Sequence, residues 1–148
     1  MANNASNYLE NKLLNHIFTN NGGAAYTAPA ANSANNDSDG IFLSLHTTAG
    51  PLDDNSGTGT EITLGSYARS NAEDTLTFTI TGNSATNDQA IVFPQATANY
   101  DGQVTHIGIY DAKTGGNLLF HGALTVPKTV TTGDTMQINA GALTITME

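Results

Sequence analysis

The sequence predicts a mainly β protein, an antiparallel β-sandwich of jelly-roll-like form with about eight strands, preceded by a short N-terminal α-helix and an extended arm. Three observations carry this. The first is composition: 22 Thr and 17 Asn in 148 residues, with only 11% charged side chains. Thr suits a half-buried pleated surface and Asn suits turns, whereas a helical bundle needs Leu, Glu and Lys. The second is a change of apolar period from a helical one near the N-terminus to a period of two from Ile41 onward. The third is the spacing of turn signals, which leaves no room for the helical crossovers that parallel strands require.

Taken in order, residues Tyr8 to Phe18 place Leu9, Leu13, Leu14, Ile17 and Phe18 on one stripe of a helix of about three turns. Asn7 stands at the N-cap position, Glu10 follows three residues later as in a capping box, and Asn20-Asn21-Gly22-Gly23 stops the pattern. So short a helix is marginal alone, so its stripe must dock. Either its own domain or a neighbouring subunit can supply that surface. Ala24 to Gly40, rich in Ala, Asn, Ser and Asp, reads as a loop or arm. This divides the chain into a helix and arm, residues 1–40, and a sandwich domain, residues 41–148.

The strands follow. Ile41, Leu43 and Leu45 alternate with Phe42, Ser44 and His46, and Leu76, Phe78 and Ile80 alternate with Thr75, Thr77, Thr79 and Thr81. Each reads as a strand with one buried face. Six more candidates are Glu61 to Leu64, Ala90 to Phe93, Val104 to Tyr110, Leu118 to Leu124, Thr135 to Asn139 and Leu143 to Met147. Gly82-Asn83, Asp101-Gly102, the Lys113-to-Gly116 run, Thr132-Gly133-Asp134 and Ala140-Gly141 supply the turns.

Charge and composition also bound function. A net charge of −9 makes nucleic acid an unexpected partner. No apolar run approaches the roughly 18 residues of a membrane span, and no secretion signal opens the chain, so no membrane partner is expected. The absence of cysteine removes disulfides, thiolate metal sites and thiol nucleophiles.

The four histidines, His16, His46, His106 and His121, form no metal-binding motif, although His106 and His121 lie on strands that can pair. Asp53, Asn55, Gly57 and Glu61 approach the spacing of a calcium loop, as do Asp37 and Asp39 in the arm, but Leu64 occupies the position where the bidentate Glu belongs. Ser44 and His46 share a strand face without any nucleophile-elbow motif. Arg69, the lone arginine, reads as a structural pin on carboxylates or carbonyls. The residues therefore predict no catalytic site, no cofactor and no metal, and hence no enzyme.

The stretch from Gly102 to Ala112, that from Gly115 to Leu124, and Pro127-Lys128-Thr129-Val130, Gly133-Asp134-Thr135 and Ala140 to Ile145 resemble a family of small tailed-bacteriophage virion proteins. Leu9 to Phe18, Leu43 to Thr47, Glu61 and Gly65 to Arg69 resemble the opening of the same family. Members are described as tail-fibre-like or as capsid decoration (cement) proteins. The resemblance implies a β-sandwich without catalytic residues or cofactor, assembled symmetrically on the particle. A compact head with an amphipathic helix on a polar arm suits a clamp across shell subunits. The expectation is therefore a capsid cement protein, made in the host cytoplasm and bound at the virion capsid surface as a homotrimer over major capsid protein junctions. Leu9, Leu13, Leu14, Ile17 and Phe18 are its candidate interface. The alternative is a tail, baseplate or fibre component, an adaptor or a host-binding head.

Overall fold

A computed structural model describes residues 3–9, 41–48, 60–70 and 78–146. Within them the chain is mainly β and antiparallel, as the sequence predicts, with its strands in three sheets, one short helical turn and no closed barrel. The strands are β1 (Asn3–Ala5), β2 (Phe42–His46), β3 (Phe78–Thr81), β4 (Ser84–Asn87), β5 (Ile91–Val92), β6 (Val104–Tyr110), β7 (Leu118–Lys128), β8 (Gln137–Ile138) and β9 (Thr144–Thr146). The main sheet has the order β1-β7-β6-β2, the second β3-β4-β9, and β5 pairs with β8.

Between the sheets lies the main core. Leu43 and Leu45 of β2 stand opposite Ile109 and Ile107 of β6, and this face meets Ile91, Phe93, Ile138, Leu143 and Ile145. The outer face of the second sheet carries hydroxyls instead. Ser84 bonds Thr146 at 3.0 Å and Thr86 bonds Thr144 at 3.2 Å, cross-strand pairs that explain why so much Thr is tolerated here.

Four details differ from the sequence expectation. Residues Glu61 to Leu64 form no strand: the segment 60–70 pairs with β2 as two isolated bridges, His46–Glu61 and Leu43–Ser70, rather than as a continuous ladder. Leu45 N–H, which no strand reaches there, donates to the Tyr67 hydroxyl at 3.0 Å. Strand β2 is buried on both faces rather than one, because segment 60–70 supplies polar partners to its second face. Strand β1 joins the edge of β7, with Ala5 opposite Phe120. The helical turn at 7–9 is capped by Ser6 rather than Asn7: Ser6 Oγ accepts from Leu9 N–H at 3.4 Å and donates to the Leu118 carbonyl at 2.5 Å.

Candidate functional site

The second face of β2 and β6 brings together the polar residues singled out from the sequence. Register places His46 opposite His106, Ser44 opposite Gly108 and Phe42 opposite Tyr110. On the other side of β6, Gly108 faces His121 and His106 faces Ala123. His106 and His121 are therefore diagonal neighbours rather than a directly opposed pair, and His106 directly faces His46.

At the centre, the His46 ring is fully buried. Its Nε2 lies 2.7 Å from Ser44 Oγ and its Nδ1 2.9 Å from Thr60 Oγ1. Two hydroxyls, each able to donate or accept, satisfy a neutral imidazole in either tautomer. A Ser–His contact also suits a nucleophile and its base, but the group on the far nitrogen is a threonine, and Ser44 Oγ is enclosed against the Gly108 backbone. The pair ties β2 to Thr60.

Beside it, the carboxylate of Glu61 takes the fork of Arg69: Nε to Oε1 and Nη2 to Oε2, both 2.8 Å. Nη1 of Arg69 donates to the carbonyls of Ala112 at 2.9 Å and Gly115 at 2.7 Å, and the guanidinium stacks 3.5 Å above the Tyr110 ring. Tyr67 donates its hydroxyl to Glu61 Oε1 at 2.9 Å. Arg69 is thus the structural pin expected from the sequence, fastening segment 60–70 to the β6–β7 turn. Glu61, one of the calcium-loop candidates, is committed to this pin, while Asp37, Asp39, Asp53, Asn55 and Gly57 lie outside the described residues. No group of three or more His, Asp or Glu side chains among the described residues is placed to hold a metal ion.

Burial, opposed by Glu61 and aided by Arg69, His106 and His121, lowers the His46 pKa from 6.5 to about 4. The unfolded chain therefore takes up a proton below pH 6.5 that the folded protein refuses until about pH 4. Stability is complete above pH 6.5 and is lost as pH falls through that window, by about 3 kcal/mol for a shift of this size. The urea midpoint of the native protein should drop between pH 6.5 and 4. His46→Gln, which keeps hydrogen-bonding groups but does not titrate, should flatten that part of the curve, and an unchanged slope would refute the assignment. For Glu61, burial raises the carboxyl pKa, but the bonds and charge of Arg69 and the Tyr67 hydroxyl outweigh it and hold it below the ordinary value. Its contribution is lost only at lower pH.

A second feature lies between the sheets. An apolar groove of about 550 Å³ is lined by Ile41, Ile109, Leu119 and Phe120 from the main-sheet side and by Phe78, Ile80, Ala85 and Ile145 from the second sheet. Interiors are packed without voids of this size. The gap arises because Ile80 on edge strand β3 faces only Ala85 on β4, so the second sheet is thin at this point and Ile80 remains 68% exposed. The sequence reading assigned Ile80 to a buried face; the signal against it was Ser84-Ala85-Thr86-Asn87, a strand with no bulky side chain to fill the gap.

Of the candidate interface residues, Leu9 is buried, in the turn that Ser6 fastens to Leu118 and Leu119 of the protein's own β7. Leu13, Leu14, Ile17 and Phe18, and the arm from Ala24 to Gly40, lie outside the described residues. No helix among the described residues is long and apolar enough to cross a membrane.

Comparison with known proteins extends the resemblance to phage virion proteins on its fibre side. No curated protein matches the chain. A family model described as "Podophage GP4 fiber I protein gp80" matches residues 4–146, from β1 to β9. Spanning all but a few terminal residues of the chain, the match shows that it belongs to this podophage fibre-protein family of virion structural proteins.

Proposed function

We propose that the protein is a non-enzymatic building unit of a podophage virion fibre, a knob or joint rather than a shaft. The observation that carries this is the family match over nearly the whole chain. The geometry supports it in two ways. Two polar clusters of the main-sheet face are spent internally: Glu61 on Arg69 and Tyr67, His46 on Ser44 and Thr60. The dimensions also suit a compact unit, since the longest strand among the described residues, 11 residues in β7, spans only about 36 Å. Its partners in this reading are further copies of itself and other virion proteins. At −9 it is repelled by packaged nucleic acid.

Copy number tests the placement against the capsid-decoration reading. Quantitative mass spectrometry of purified virions, with antibody labelling in electron micrographs, should find roughly six to eighteen copies confined to the tail end, as fibre symmetry allows. Hundreds of copies spread over the head would overturn the fibre placement in favour of capsid decoration.

A further inference from the structure

We propose that the groove between the sheets, with the exposed Ile80 at its lip, is the face on which copies of this chain meet. Three independent features converge there. The first is apolarity without charge: among the described residues, none of the side chains lining the groove is ionisable. Each chain carries −9 overall, so two copies approaching face to face are repelled unless they meet where no carboxylate is desolvated. A basic partner would instead be recognised by carboxylates, and the described residues of this face offer none. A surface free of charge on a strongly acidic chain fits a partner of the same sign, a second copy.

The second feature is the edge strand. Folded proteins blunt sheet edges with Lys, Pro, bulges or inward charges. Strand β3 reads Phe-Thr-Ile-Thr, carries none of these, and has only β4 as a partner among the described residues. The third is Ile80. At 68% exposure it is the most exposed large hydrophobic residue in the described structure, and it stands beside Phe78, Phe120 and Ile145 at the groove rather than alone. Together, an unblunted edge and an open apolar seam provide both the hydrogen-bonding and the hydrophobic parts of an interface.

Light scattering on the full chain from roughly 1 to 100 µM tests this. The native protein should show a multiple of 15.3 kDa at the upper end. Ile80→Asp should weaken association by about 100-fold or more, because it places like charges across the contact, while at dilutions where the chains are single the exposed position leaves the melting temperature unchanged. Hydrogen exchange on the unmutated protein supplies a reading that no folding defect can confuse: amides of residues 78–81 should exchange more slowly at high than at low concentration. A single-chain mass throughout, an unchanged mass for a folded Ile80→Asp, or concentration-independent exchange would each overturn the proposal, the last also marking a groove covered by the protein's own chain. None of these outcomes bears on where the protein sits in the virion, so the fibre reading stands or falls separately.

Discussion

Replacing Arg69 with alanine is expected to destabilise the protein by about 3 kcal/mol, at the low end of the roughly 3–5 kcal/mol found when one partner of a buried ion pair is removed. The low end applies because the pair is not fully enclosed: the Arg69 side chain is 8% exposed and that of Glu61 22%. The loss has two parts. Glu61 keeps the Tyr67 bond but loses both bonds of the guanidinium fork. The carbonyls of Ala112 and Gly115 lose the donor that holds the β6–β7 turn against segment 60–70. For a chain of this length the melting temperature should fall by roughly 6–12 °C.

Arg69→Lys separates charge from geometry. A lysine restores a positive charge but not a planar fork able to serve Glu61 and two carbonyls while stacking on Tyr110, so most of the loss should remain. Adding Glu61→Gln to Arg69→Ala should recover part of the stability, since the stranded charge is then gone. If Arg69→Ala melts within a degree of the native protein, the pin is an ornament of the surface rather than a fastening.

How much of this was legible in the sequence depended on whether a residue's role is local. The span Val104 to Tyr110 was readable to the residue because its buried positions and bounding turns lie within it. Arg69 was readable as a pin because a lone guanidinium in a cation-poor chain must find acceptors, although nothing in the order of residues named the Ala112 and Gly115 carbonyls. Strand β4 was not readable: Ser84-Ala85-Thr86-Asn87 has no apolar alternation, and register with β3 and β9 makes it a strand. Strand β1 escaped for the same reason, since Asn3-Asn4-Ala5 has little β propensity and depends on the edge of β7. The sequence reading ended β7 at Leu124, short of Pro127. The strand runs on to Lys128, opposite Val104, and Pro127 falls in the register shift between the His106–Ala123 and Val104–Lys128 pairs, where the ladder to β6 is interrupted and a missing N–H is tolerated.

Gly108→Val should be the most damaging single change in the main sheet, and even Gly108→Ala should cost about 3 kcal/mol or more. In an unconstrained strand the sign would be opposite, because glycine is a poor strand residue and a methyl group there adds stability. Here the position is closed. A Cβ at Gly108 would lie 2.6 Å from Ser44 Oγ, 2.9 Å from Leu118 Cδ1 and 3.0 Å from His46 Nε2. Strand β6 is paired with β2 on one side and β7 on the other, so the backbone cannot retreat. Relief must come from Ser44 and His46, whose bond is buried. Overpacking of this kind costs roughly 1–3 kcal/mol, and leaving a buried hydrogen-bonding group unpaired adds about 1–3 kcal/mol. A double-mutant cycle identifies the cause. Ser44→Ala removes the atom closest to the new methyl group, so Gly108→Ala with Ser44→Ala should be less destabilised than the sum of the two single variants. Strict additivity, or a stabilised Gly108→Ala, would mean that the missing side chain of Gly108 is not what makes room for the Ser44–His46 bond.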